Sequence, residues 1–207
     1  IIIIGGYKSS ALKKFNLPII INHDYENTNM LWTLFCAEEY FSNEFIVSYG
    51  DIIYNSKNLK KIINEKSDIS ITVDLDWLSY WEQRFANPLD DAETLKIDSN
   101  NIVREIGFKP KNLNQIDAQY MGLMKFRKNG VKFLKLAYDK AKSFDLINEK
   151  KIKTAYMTDM LQYLISSNID IKAIKVNGGW VEIDTVEDFF NPINFERIKE
   201  IDNEINK

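Results

Sequence analysis

Short apolar runs alternating with helix-like segments constrain this chain more than any other feature. Residues 18–22, 45–49, 69–73, 119–126 and 171–176 each have the length and the Ile, Val and Phe content of one buried strand. Between them lie segments with helical spacing. In residues 28–41, Leu31, Leu34, Phe35 and Glu38 follow the helical period behind a Thr28 or Asn29 cap. Residues 56–64, 76–85, 131–143 and 154–166 read as further helices, and the polar residues 191–207 as a closing one. Alternation of this kind predicts an α/β fold, with a mostly parallel sheet and helices on both faces. Residues 94–97 and 102–106 predict an antiparallel hairpin excursion within residues 76–126, placed to cover an acceptor.

The 207 residues are 45% apolar, enough for one sizeable core and a single domain. A net charge of -3 supplies no global basic field, so nucleic acid is not the expected partner. No segment approaches the roughly 20 apolar residues of a membrane-spanning helix. Cys36 is the only cysteine, which rules out an intrachain disulfide and fits a reducing, cytoplasmic location. Its neighbours Leu34, Phe35 and Ala37 favour a buried thiol over a nucleophile. His23 is the only histidine, so a multi-histidine metal site is excluded.

Two aspartates end strand-like runs. Asp51 follows Ser48-Tyr49-Gly50, and Asp184 closes Trp180-Val181-Glu182-Ile183. Ligands of open α/β sheets bind at the carboxyl ends of strands, so two such carboxylates can meet in one cleft and hold Mg²⁺ against a nucleoside triphosphate. Gly50 lets a phosphate approach the backbone. Each aspartate also has a plainer reading. Asp51 can bond its own turn, and Asp184-x-x-Glu187 can open a helix as a capping box. Trp77, Trp81 and Arg84 share one helical face, either as a pocket for a cationic or phosphorylated acceptor or as a packed stripe. Asp159 lies in a helix among Met157, Met160 and Leu161, where burial would demand a partner. Asp74-Leu75-Asp76 has the spelling of a glycosyltransferase metal motif after a central strand. Neither a Walker phosphate loop nor a dinucleotide-binding glycine fingerprint occurs.

Gly6-Tyr7-Lys8, residues 28–34, residues 48–54 and residues 179–185 occur here in the order in which nucleotidyltransferases of the sugar-phosphate type carry them. The chain resembles that family, in its phosphocholine cytidylyltransferase-like branch. Residues 76–85, 87–94 and 119–123 are similar to a subgroup acting on small phosphorylated amines or amides. The resemblance implies a three-layer, Rossmann-like nucleotidyltransferase fold over residues 1–207. It also implies transfer from CTP, with Mg²⁺, to an acceptor of the phosphoglutamine, phosphocholine or 2-aminoethylphosphonate type. UTP or dTTP with a sugar phosphate, and a non-catalytic nucleotide-binding module, are the rival readings.

By the same resemblance Asp51 and Asp184 hold the metal, and Lys8 meets a phosphate. Asn29, Thr33 and Gly50 lie near the nucleotide. Trp77, Trp81, Arg84, Glu93, Gln119, Asp159 and Glu182 surround the acceptor. Family members open with a strand and a Gly-rich loop ahead of the Gly-Tyr-Lys stretch. This chain begins where the second strand would be, so it reads as a domain lacking that first strand and loop.

Overall fold

The computed structural model describes residues 1–205. In chain order the elements begin with β1 (Ile3–Gly5), β2 (Ile19–Ile21), α1 (Met30–Phe35), β3 (Glu44–Ser48), β4 (Ile52–Tyr54) and α2 (Ser56–Asn64). Next come β5 (Ile69–Asp74), α3 (Trp77–Arg84), β6 (Leu95–Ile97), β7 (Val103–Ile106) and β8 (Gln119–Arg127). The chain continues through α4 (Asn129–Phe144), α5 (Met157–Ser166), β9 (Lys172–Val176), β10 (Trp180–Glu182), α6 (Val186–Phe190) and α7 (Pro192–Ile205). The last two residues of the helix predicted over 191–207 lie outside the described residues.

The main sheet has the order β3-β8-β5-β9. Strands β3 and β5 each run antiparallel to β8, and β9 runs parallel to β5. Three of the four strands therefore share one direction, as the alternation predicts. The reversed strand, β8, is interior, so two of the three hydrogen-bonded pairs are antiparallel. The predicted hairpin is present as β6 and β7. Two short ribbons complete the set: β1 with β2, parallel, and β4 with β10, antiparallel. The sequence pattern placed no element at residues 52–54. β4 is too short to show a period, and its pairing with β10 spans more than a hundred residues.

Helix α1 is shorter than its pattern. Cys36 N–H donates to the carbonyls of both Trp32 and Thr33, and a 3₁₀ turn, Glu38–Tyr40, follows. The cores sit on either side of the sheet. One gathers Ile69, Ile71, Val73, Met124 and Phe126 under Leu31, Leu134, Tyr138 and Leu161 of α1, α4 and α5. The other gathers Met121, Leu123 and Val176 under Ile62, Trp77, Trp81 and Ile201 of α2, α3 and α7. This is the helix–sheet–helix layering expected of the chain.

The reversed strand carries the irregularity that shapes the site. Pairing of β5 with β8 slips from Ile71 opposite Met124 to Val73 opposite Tyr120, a bulge that contains Gly122. Gly122 has φ +75°, and a Cβ there would lie 2.6 Å from Cδ2 of Tyr49. Its carbonyl accepts from Tyr49 N–H at 2.9 Å, so the bulge fixes the chain just beyond β3. Gly122→Ala adds both the left-handed penalty and the ring clash. It should destabilise the protein by about 2 kcal/mol or more, measured by urea unfolding.

Candidate active site

Because β3, β5 and β9 point the same way, their carboxyl ends lie along one edge of the sheet. Beyond the end of β3, Gly50 faces open space. Asp51 follows, and its carbonyl accepts from Ile183 N–H at 2.9 Å. That bond continues the β4–β10 ribbon, in which Glu182 stands opposite Ile52. Residues two apart in extended chain share a face, so Glu182 and Asp184 point the same way. Asp51, Glu182 and Asp184 thereby converge, one carboxylate oxygen from each within 4.8 Å of the others. Three hard oxygen donors suit Mg²⁺ or a similar divalent cation, which takes carboxylates and leaves positions for water and phosphate.

The charge of this cluster shows in its titration. Burial and the carboxylate of Asp184 raise Asp51 above its ordinary value. Burial, then Asp184, push Glu182 up to about 7 against the pull of Arg84. Asp184 does not cap α6. The capping box is one residue later, where Thr185 Oγ1 accepts from Asp188 N–H at 3.0 Å and Asp188 Oδ2 from Thr185 N–H at 3.1 Å. The shift leaves the Asp184 side chain free of the helix start.

Arg84 is the counter-ion. Trp77, Tyr80, Trp81 and Arg84 lie at helical spacings on the buried face of α3, and the Arg84 side chain is 1% exposed. Its Nη1 donates to Glu182 at 2.8 Å, its Nη2 to Asp184 at 2.9 Å and its Nε to Asp188 at 3.0 Å. The rings of Tyr80, Trp81 and Phe85 pack around the guanidinium. Burial opposes its charge, but Asp188, Tyr80 and Glu182 outweigh that and hold its pKa above the ordinary value. Burial likewise works against the charge on Asp188, and the hydrogen bond from Arg84 prevails and lowers its pKa. Asp188 had a signal in the capping-box spelling Thr185-x-x-Asp188, but its bond to Arg84 had none.

The structure sorts the remaining sequence candidates. Trp77 and Trp81 are each 4% exposed in the second core, and Trp81 Nε1 donates to Asp91 at 3.0 Å. They are the packed stripe, with no open face for an acceptor, and Arg84 is consumed by carboxylates. Asp74 is fully buried and accepts from Trp180 Nε1, Gly178 N–H and Asp76 N–H. It ties β5 to the turn before β10, so the glycosyltransferase spelling is a structural device.

Around the first ribbon, Asn29 caps α1 by accepting from Met30 N–H at 2.8 Å. Thr33 Oγ1 donates to the Asn29 carbonyl and accepts from Nδ2 of buried Asn22. Asn22, at the end of β2, could have been found by the strand-end logic that found Asp51. Lys8 is exposed beyond β1 with its ammonium 5.1 Å from the Tyr7 ring, and no hydrogen bond or ion pair joins it to Asp51 or Asp184 among the described residues.

Glu93, Gln119 and Asp159 do come together. Gln119 Nε2 donates to the Glu93 carbonyl at 2.7 Å, and Thr158 Oγ1 approaches the Glu93 carboxylate at 3.5 Å. Asp159 accepts from Tyr156 N–H at 2.8 Å and pairs with Lys150 at 2.8 Å. Burial, then the charge of Asp159, push Glu93 up to about 7.

Arg84→Met leaves Asp188 and part-buried Glu182 without their counter-ion, while Asp184 is exposed, and should cost about 2–3 kcal/mol in chemical unfolding. Glu93 gives a pH signature. Its ordinary value is 4.5 and its folded value about 7, so across that interval the folded protein keeps a proton that the unfolded chain releases. Stability conferred by the protonated carboxyl is complete below pH 4.5 and lost as pH rises through 7. Glu93→Gln should therefore stabilise the protein at pH 8, by on the order of 1–3 kcal/mol, and leave it near wild type at pH 4. Urea unfolding at the two pH values checks this.

No protein-family model matches the chain. The CTP:phosphoglutamine cytidylyltransferase of Campylobacter jejuni is 37% identical over 199 residues, taking in 91% of this chain and 78% of that one. The bifunctional protein GlmU of Methanococcus aeolicus is 27% identical over 186 residues, 82% of this chain and 38% of that one. Among solved structures, the inositol-1-phosphate CTP transferase of T. maritima superposes with a TM-score of 0.70 at 16% identity, over 97% of this chain and 76% of that one. The CTP:phosphocholine cytidylyltransferase of Streptococcus pneumoniae gives 0.63 at 19% identity, over 97% and 77%. The two structural matches bear on fold alone, and that fold is the Rossmann-like one that the resemblance implies. Identity of 37% across nine-tenths of its length to the Campylobacter enzyme carries the conclusion: the chain belongs to the nucleotidyltransferase family.

Proposed function

We propose that this chain is a Mg²⁺-dependent cytidylyltransferase that joins CTP to a small phosphorylated acceptor of the phosphoglutamine type, giving a CDP-linked product and pyrophosphate. The observation that carries the reading is the convergence of Asp51, Glu182 and Asp184 within 4.8 Å at the carboxyl end of β3. The name of the 37% identical relative supplies the nucleotide and the acceptor class.

In this reading Asp51, Glu182 and Asp184 hold the metal, which when bound neutralises the phosphates and activates the α-phosphorus as a Lewis acid. An acceptor phosphate oxygen attacks that phosphorus, the bond to pyrophosphate breaks, and the negative charge leaves with the pyrophosphate. No covalent enzyme intermediate is needed, so the work of the protein is positioning. Gly50 gives the triphosphate an unobstructed approach beside Asp51. Lys8 reaches a phosphate, and the loop built by Asn22, Asn29 and Thr33 borders the nucleoside.

The test is pyrophosphate release with CTP, UTP, dTTP and ATP, each with glutamine phosphate and Mg²⁺. CTP should be preferred. Asp51→Asn and Asp184→Asn should each lower the rate by at least about 100-fold while leaving the circular dichroism spectrum unchanged. Full activity in both variants would overturn the metal assignment, and release without CTP preference would overturn the nucleotide.

A further inference from the structure

The ribbon that presents Glu182 and Asp184 is two strands wide, so the outer edge of β10 needs hydrogen-bond partners from outside the ribbon. Asn55 N–H donates to the Gly179 carbonyl and Ile183 N–H to the Asp51 carbonyl, so residues 179 and 183 turn their backbone groups toward β4. Those of Trp180 and Glu182, in the alternate register, point the other way, toward α3 and α7.

Two side chains meet that edge. The Tyr80 hydroxyl accepts from Glu182 N–H at 3.1 Å and lies 3.3 Å from the Glu182 carbonyl. Arg197 Nη1, from α7, donates to the Trp180 carbonyl at 3.2 Å. Together they take the places that a third strand would fill.

The Tyr80 hydroxyl is itself fixed. It donates to Asn194 Oδ1 at 3.1 Å, and Asn194 Nδ2 donates to the Asp188 carbonyl at 2.8 Å, so both ends of the amide are engaged. Tyr80 and Asn194 are fully buried. The Tyr80 ring packs edge-on against Trp81 and Trp180, and the Arg197 guanidinium lies 4.0 Å from its centroid. A buried hydroxyl with every partner in place is a rigid anchor. One helical turn later on α3, Arg84 holds the Glu182 carboxylate. Helix α3 therefore grips Glu182 twice, by its backbone through Tyr80 and by its side chain through Arg84.

Resting on the metal reading above, we propose that Tyr80 is a positioning residue for the metal centre. Its hydroxyl fixes the backbone of Glu182 so that this carboxylate stands with Asp51 and Asp184. Arg197 secures the same edge two residues earlier. Mg²⁺ takes oxygen donors only near about 2.1 Å, so a small shift of β10 spoils the set. Tyr80 supplies no ligand atom, and its effect on cation affinity passes through Glu182.

Tyr80→Phe keeps the ring and removes only the hydroxyl. Mn²⁺ is the probe, because electron paramagnetic resonance reads the free ion directly on the full chain without nucleotide or turnover. Tyr80→Phe should bind Mn²⁺ about tenfold more weakly than wild type, and Arg197→Met about threefold more weakly. Glu182→Gln should also bind more weakly, and adding Tyr80→Phe to it should cost nothing further, because both changes act through one ligand. A tyrosine with a structural role alone would lower the urea midpoint and leave Mn²⁺ affinity unmoved. Unchanged affinity in Tyr80→Phe, or the same tenfold loss with Glu182 already replaced, overturns the proposal. If Tyr80→Phe does not fold, Arg197→Met at its half-buried position decides, and unchanged affinity there overturns the proposal. Asp51→Asn separates the two levels. Mn²⁺ binding that survives it at full strength, or wild type that binds no Mn²⁺, overturns the metal reading and this proposal with it.

Discussion

The ion pairs of Arg84 are what make the carboxyl edge of this sheet tenable. Asp51, Glu182 and Asp184 converge within 4.8 Å, and Asp188 stands behind them on the same guanidinium. At an effective dielectric of about 20, two charges that close repel by roughly 3 kcal/mol. Several such pairs would open the ribbon that creates the site. One planar cation bonded to three carboxylates offsets much of that repulsion, and a lysine cannot reproduce the geometry because it lacks the fork. Asp188 serves twice, completing the α6 capping box with Thr185 and anchoring Arg84 through Nε. The start of α6, the inner face of α3 and the end of β10 are thus set by one group.

That dependence explains which parts of the site were legible in the sequence. Asp51 and Asp184 could be found because strand ends can be read from apolar runs that stop. Glu182 could have been placed with them, since residues 182 and 184 alternate onto one face of an extended segment. The spacing of Trp77, Trp81 and Arg84 correctly gave a shared helical face, but a period reports that residues share a face and not what the face meets. Here it meets a core and a set of carboxylates contributed about a hundred residues later. The capping box was read one residue early because Asp184-x-x-Glu187 and Thr185-x-x-Asp188 are overlapping spellings, and burial beside Arg84 decides between them.

The fold followed the same division. Strand and helix positions come from local pattern, and most fell within two or three residues of their structural bounds. The reversal of β8 does not come from local pattern. A strand buried on both faces has the same composition in either direction, and Gly122 hinted only that something irregular sat within it. The short β4 was invisible because it forms by pairing with β10.

The bulge in β8 also bears on how Glu93 and Asp51 are placed relative to one another. From its start β8 holds Gln119, which fixes the backbone at Glu93, and three residues later Gly122 fixes Tyr49 and hence the approach to Asp51. Both attachments belong to β8, which pairs through Gln119 with Asp74 of β5 and bonds through Gly122 to Tyr49 beyond β3. The bulge between them takes up chain length, so they stand closer than three extended residues would place them. A distance set by an interior strand is far stiffer than one set by loops. The backbone at Glu93 and the approach to Asp51 are therefore tied to one strand.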